Sequence, residues 1–209
     1  FAGAGSLYDL AISLSESIKY FGDHNLMGYI TGNQDRPRFI SYADGSLEFG
    51  EDTKYAGWNR EISIQDTLAY QKLSALTAYM MTIPGIPCIY YGDEYGSPGG
   101  NDPDNRRQMQ FDGLDKHQLA TRDRAKKMIQ IRKENLALIY GDTDILEAEE
   151  TIMVLSRKYF DNEVIAVFNT GSAPLDIQLP EGGTTNFYGT ISGDQLTLPA
   201  YSFDLITYN

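Results

Sequence analysis

The chain has 209 residues, 42% of them apolar, with 29 acidic against 17 basic side chains and a formal charge of −12. This composition fits one large or two small globular domains, and acidity without a Lys/Arg cluster argues against nucleic acid or an anionic membrane surface as partner. No window nears the roughly 18 apolar residues of a membrane span, and the single Cys88 excludes an intramolecular disulfide framework.

Taken in chain order, Leu7, Leu10, Ala11, Leu14, Ile18 and Phe21 recur at spacings of three and four and predict an amphipathic helix, which Gly22 ends. Met27 to Thr31 reads as a short buried strand, followed by a long polar loop to about Ser63. Asp66 suits the N-cap of an apolar-rich helix that runs through Leu68, Leu73, Leu76, Tyr79 and Met80 to Pro84. Gly85 closes the turn, and Ile86 to Tyr91 reads as a second buried strand. A second polar loop extends from Gly92 to about His117, and a helix from about Leu119 to Glu134 follows it.

After Asn135 the pattern changes to short β-rich segments at 151–159, 163–169, 173–178, 185–190, 195–198 and 202–207. Turn signals separate them, such as Asp161-Asn162, Glu181-Gly182-Gly183 and Ser192-Gly193-Asp194. A small antiparallel sandwich is expected, with a boundary near Tyr140-Gly141 dividing the chain into residues 1–140, of α/β type, and 141–209, all β.

Strands alternating with helices argue for a parallel sheet with crossover helices, and in such sheets the loops after the strands carry the chemistry. Segments 32–64 and 92–118 follow the two strands and exceed ordinary connection lengths, so a site is expected there. Two parallel strands do not make an independently stable sheet. The rest of it is expected upstream in a longer chain or on a separate polypeptide, and Phe1, with no signal-like segment before the first helix, fits a C-terminal part.

The run Gly32-Asn33-Gln34-Asp35-Arg36-Pro37-Arg38-Phe39 follows the first strand directly. A carboxylate at such a strand end serves as acid, base or charge stabiliser; a helix-capping or Arg-paired Asp35 is the other reading. The second strand leads into Gly85-Ile-Pro-Cys-Ile-Tyr-Tyr-Gly-Asp-Glu-Tyr-Gly96, placing Tyr90, Tyr91, Asp93 and Glu94 at its end, and aromatics beside carboxylates suit sugar rings.

These runs, the stretch Asp102-Pro-Asp-Asn-Arg-Arg-Gln-Met109 and the β-rich end resemble, in that order, the α-amylase superfamily of glycoside hydrolases (family 13), nearest to its neopullulanase and cyclomaltodextrinase branch. The resemblance implies the C-terminal segment of a (β/α)8 TIM barrel followed by an antiparallel Greek-key β-sandwich. It implies a retaining α-glucan hydrolase acting on starch-derived oligosaccharides. In this family an Asp nucleophile and a Glu acid/base work with a second Asp that stabilises the oxocarbenium-like transition state. Asp35 matches that second Asp, while the other two would lie upstream of Phe1. A retaining pair must stand about 5–5.5 Å apart, so this segment alone is expected to be inactive. A glucan transglycosylase and a non-catalytic carbohydrate-binding homologue are the alternatives.

The family places His before this Asp to hydrogen-bond the sugar, and here the position is Gln34, which still donates and accepts but does not titrate near neutral pH. Asn33, Gln34 and Arg38 are candidates for substrate binding beside Asp35. Asp102 and Arg106 match in type and spacing an Asp-Pro and an Arg that bind a distal glucose in the neopullulanase branch; a surface ion pair is the other reading. Trp58, the only tryptophan, suits either stacking on a sugar or anchoring its loop. Tyr90 and Tyr91 read as core and wall residues.

His24 and His117 lack zinc-site spacing, and the acidic run Asp142, Asp144, Glu147, Glu149 and Glu150 could attract calcium but reads more readily as a solvated face. No metal or cofactor is therefore assigned within the segment, although the resemblance admits Ca2+ in the full-length enzyme. Cys88, in an apolar strand, reads as inert packing. The expected partners are α-glucan oligosaccharides and the remainder of the barrel. Enzymes of this type are secreted, periplasmic or cytoplasmic, and one cysteine fits all three.

Overall fold

The computed structural model describes residues 1–208; Asn209, the last residue of the strand-rich half, lies outside the described residues. The order of elements is α1 (Leu7–Phe21), β1 (Gly28–Ile30), α2 (Phe39–Asp44), α3 (Thr53–Asn59), α4 (Leu68–Thr82), β2 (Ile86–Cys88), a 3-10 turn (Asp104–Arg106), α5 (Lys116–Glu134) and α6 (Ala137–Tyr140). Seven strands follow: β3 (Asp142–Ala148), β4 (Ile152–Tyr159), β5 (Asn162–Asn169), β6 (Leu175–Gln178), β7 (Thr190–Ser192), β8 (Gln195–Leu198) and β9 (Ser202–Tyr208). Contacts divide the chain into one unit of Phe1–Ala4, Tyr29–Thr77 and Pro87–Lys127, and another of Gly5–Gly28, Ala78–Ile86 and Met128–Asn209. Helix α1 groups with the strand-rich residues in the second of these units.

The long helices start and stop where their polar ends can be satisfied. Ser6 Oγ accepts from Asp9 N at 3.0 Å to open α1, and Gly22, at φ 83°, closes it by donating to Ile18 O at 2.7 Å. Asp66 Oδ1 accepts from Leu68 N at 2.9 Å at the start of α4. At its far end Arg132 of α5 donates to Met81 O at 2.6 Å, a carbonyl that the helix terminus leaves unpaired, and to Gly85 O at 2.7 Å in the turn beyond it.

Strands β1 and β2 pair in a two-stranded sheet. Ile86 N donates to Met27 O at 2.8 Å and Thr31 N to Cys88 O at 3.3 Å, so early residues meet early ones and the pair runs parallel. The expectation that both strands are buried is not met: Ile30 is 52% and Ile86 53% exposed, and the Cys88 thiol is exposed as well. Both strands alternate exposed, half-buried, exposed, so one face of the pair is open to solvent, which the apolar run alone could not reveal. The stretch 32–64 is not a structureless loop either, since α2 and α3 lie within it.

The strand-rich half forms two antiparallel sheets, ordered β3-β4-β5-β9 and β6-β8-β7. Val154, Ile165, Val167 and Ile206 of the first sheet pack with Leu196 and Leu198 of the second in one apolar cluster. Met153, Leu155, Ala166, Phe168, Phe203 and Leu205 alternate with them in the first sheet and are buried too, and α1 and α6 pack against its strands β3, β4 and β5. Strands covered on both faces read as near-continuous apolar runs. The edge strand β3 does not, because Asp142 and Asp144 alternate outward with Thr143 and Ile145, and the acidic run hid a strand.

Of residues 185–190, expected to form a strand, only Thr190 does so, opening β7, while residues 185–189 wrap around the buried Asp204 carboxylate. It accepts from Asn186 N at 2.7 Å, Phe187 N at 3.0 Å and Gly189 N at 2.6 Å. Burial pushes this carboxyl up from its ordinary pKa, and the backbone donors oppose the shift. Asp204→Asn turns one acceptor into a donor facing an N–H group. A loss of about 1–3 kcal/mol of unfolding free energy is expected, read by urea denaturation of the full chain.

Candidate functional site

The backbone leaving β1 turns sharply at Asn33, whose Oδ1 accepts from Asp35 N at 2.8 Å, a side-chain-closed turn of the kind Asn favours. It turns Asp35 outward, with 70% of its side chain exposed. Gln34 Nε2 donates to Asp35 Oδ2 at 3.1 Å, and Arg106 Nη2 stands 3.8 Å from Asp35 Oδ1. Arg106 Nε lies 2.9 Å from Asp102 Oδ1 and donates to Gln34 O at 3.4 Å, while Asp102 Oδ2 is 3.9 Å from Lys54 Nζ of α3. Asn33, Gln34, Asp35, Asp102 and Arg106, widely separated in sequence, thus form one connected polar group.

Arg38 does not stand in that group. Its side chain is 1% exposed and its head group is engaged by protein: Nη1 pairs with Asp93 Oδ1 at 2.9 Å and donates to Tyr91 O at 2.7 Å, and Nε donates to Asn105 O at 2.9 Å. Its Cζ lies 4.3 Å from the Tyr90 ring centre and 5.0 Å from that of Tyr91. The Tyr90-Tyr91 pair, with ring centres 4.7 Å apart, is a wall laid against the guanidinium. Asp93 is correspondingly buried; desolvation pushes its carboxyl up, opposed by the Thr31 hydroxyl and the Arg38 charge. Glu94 turns back to accept from Gly92 N at 2.6 Å.

Sequence reasoning missed Asn105. This buried side chain donates through Nδ2 to Asn33 O at 3.2 Å, Gln34 O at 2.9 Å and Arg36 O at 2.7 Å, and so holds the carbonyls on both sides of Asp35. One amide in a polar run has no periodicity to betray it, and only the fold brings it to residue 33. Asp104, next to it, accepts from Gly100 N at 2.7 Å and from Arg107 Nε at 3.0 Å, which gives Arg107 a place in the loop's own framework.

Trp58 lies on α3 and is 68% exposed, so it does not anchor the loop; Thr53 and Ala56 are the buried residues of that helix. Among the described residues no three His, Cys, Asp or Glu side chains converge to hold a metal ion. His24 Nε2 lies 3.7 Å from Asp142 Oδ1, whereas the ring of His117 stacks on Tyr70.

No family model matches the chain. Among curated proteins, the cyclomaltodextrinase of Geobacillus thermopakistaniensis (strain MAS1) is 33% identical over 153 residues, 72% of this chain and 22% of that protein. The amylopullulanase of Thermoanaerobacter thermohydrosulfuricus is 36% identical over 126 residues, 55% of this chain and 8% of that protein. Among solved structures, the α-amylase of Geobacillus thermoleovorans, in complex with acarbose, matches 99% of this chain and 45% of its own at 27% identity and a TM-score of 0.70. An Anoxybacillus α-amylase matches 97% of this chain and 42% of its own at 23% identity and a TM-score of 0.74.

The chain is homologous to the α-amylase family of glycoside hydrolases. It spans about a fifth of the length of the cyclomaltodextrinase and under half that of the solved α-amylases. In this α-amylase relative, an exposed carboxylate flanked by an amide donor and a guanidinium can accept sugar hydroxyls and oppose a developing positive charge. Its placement depends on Asn105. Replacing Asn105 by Ala is expected to cost about 2 kcal/mol of stability, since buried carbonyls lose their donor. Hydrogen exchange on the full chain should show amide protection lost at Asp35, Arg36 and Arg38 before the β-sandwich is affected.

Proposed function

We propose that the chain is the C-terminal part of a retaining α-glucan hydrolase, in which Asp35 is the transition-state-stabilising carboxylate. The observation that carries this reading is the outward-turned Asp35 at the end of a parallel strand, within a motif order like that of the α-amylase family. In this reading residues 1–140 close a (β/α)8 barrel, and residues 141–209 are its C-terminal Greek-key domain. The exposed apolar side chains of β1 and β2 support it, since neighbouring strands would cover them.

The nucleophile Asp and the acid/base Glu belong upstream, and the segment alone does not turn over. As positive charge grows at the anomeric carbon, Asp35 stabilises it and holds the ring in a distorted shape through its hydroxyls. Gln34 and Asn33 present amides to the sugar, and the Asp102–Arg106 pair binds a more distant glucose. Arg38 acts indirectly, by fixing the loop. Relatives among the cyclomaltodextrin glucanotransferases, such as that of Bacillus sp. (strain 38-2) at 33% identity over 62% of this chain, favour a second reading. In it the same covalent intermediate is intercepted by a sugar in place of water.

The test is an α-glucan hydrolysis assay on the full-length protein, comparing the wild type with Asp35→Asn and following the product anomer. Release of the α-anomer and a loss of about three or more orders of magnitude in kcat are expected for the variant. A wild type that binds maltooligosaccharides without cleaving them, or an equally active variant, would overturn the mechanism in favour of a binding protein.

A further inference from the structure

The helix α3 presents two large aromatic side chains to solvent. Tyr55 and Trp58 are three residues apart, share one helical face and are both exposed, while Thr53 and Ala56 on the other side are buried. Exposed single aromatics are ordinary, whereas two on one face of a fixed element present their ring faces from one place.

This helix is fixed. Asp52 Oδ1 caps it by accepting from Lys54 N at 3.1 Å and Tyr55 N at 2.9 Å, and Asn59 Nδ2 closes its last turn on Tyr55 O at 2.8 Å. Asn101 N donates to Thr53 O at 3.1 Å. Gly57 and Gly100 let the backbones touch: a Cβ on Gly100 would lie 2.6 Å from Thr53 O, and one on Gly57 would lie 2.8 Å from the Asp104 Cβ. The segment against which α3 is pressed is the one that carries Asp102, Asn105 and Arg106. Lys54, Asp102, Arg106 and Asp35 then form successive pairs at 3.9, 2.9 and 3.8 Å. The aromatic face is therefore held at a set position relative to Asp35.

We propose that Tyr55 and Trp58 form an outlying stacking subsite for glucosyl units of a long α-glucan, which rests on the hydrolase reading above. The occupant follows from the chemistry of the patch. A chain of net charge −12 disfavours polyanions, while exposed aromatic faces suit a neutral polyol with apolar ring faces. Such a subsite is filled only by substrates long enough to span from Asp35 to α3, so it sets chain-length preference.

The experiment compares kcat/KM of the full-length enzyme on maltoheptaose and maltotriose for wild type, Trp58→Ala, Tyr55→Ala and Trp58→Phe. Calorimetric titration of maltoheptaose into the same variants accompanies it. The maltoheptaose-to-maltotriose ratio should fall about tenfold in Trp58→Ala and less in Tyr55→Ala, with substantial recovery in Trp58→Phe. Unchanged melting temperatures would separate this from a folding defect, and Trp58→Phe keeps the test sound if the alanine variant misfolds. Equal losses on both substrates, or no loss on either, would overturn the subsite. An Asp35→Asn variant as active as wild type would instead overturn the hydrolase reading, and the titrations would still report whether Trp58 binds glucan.

Discussion

One buried guanidinium holds the site region together. Arg38, from the segment after β1, reaches the Tyr91 carbonyl and the Asp93 carboxylate in the turn after β2, and the Asn105 carbonyl in the 3-10 turn. Three segments distant in sequence are fastened at a single head group. A planar fork with several fixed donors can do this, and a lysine ammonium cannot match the geometry. Burying the charge is costly, and removing one partner of such a pair leaves the other uncompensated at a cost of about 3–5 kcal/mol. The turn around it is shaped to suit: Gly92 sits at φ 89°, and a side chain there would meet Ser97 Cβ at 3.0 Å with the guanidinium nitrogens at 3.5 Å. Asn105 then extends the fastening from Arg38 to the backbone that bears Asp35.

The two sheet systems differ in how they bury their apolar faces. The four-stranded sheet is covered on one side by β6, β7 and β8 and on the other by helices, and its central strands are buried over most of their length. The β1–β2 pair has the composition of such strands without the cover. Leu26, Met27, Ile30 and Ile86 are exposed on or beside it. Apolar exposure concentrated on a parallel strand pair leaves that pair with little stability of its own.

Much of this was legible in the sequence where one periodicity dominates. Helix α1 begins at Leu7 and ends at Phe21, as its spacing and Gly22 predict, and α4 begins at Leu68 just after its Asp66 cap. Strand β3 was hidden because an edge strand carries its charges outward and so resembles a solvated acidic run. The short helices α2 and α3 were hidden by length: six or seven residues give less than two turns in which to repeat an apolar position. Within the site, the strand-end position of Asp35 was readable because motif order fixes it. The burial of Arg38 was not, since an Arg beside an Asp looks the same whether it faces sugar or protein, and its partners lie 53 to 67 residues away.

The electrostatics of Asp35 tie these threads together. Its carboxylate and Arg106 are both well exposed and separated by 3.8 Å, and a pair of that kind in water contributes about 0–1 kcal/mol. The same charges in a water-excluded cleft act far more strongly, because the effective dielectric falls. Asp35 is therefore positioned without being strongly coupled to a neighbouring charge: Asn33 and Asn105 fix the backbone around it, and Arg38 fixes the segment that follows. Gln34 fits this arrangement. As a neutral amide it donates to Asp35 Oδ2 at 3.1 Å without placing a further charge beside the carboxylate.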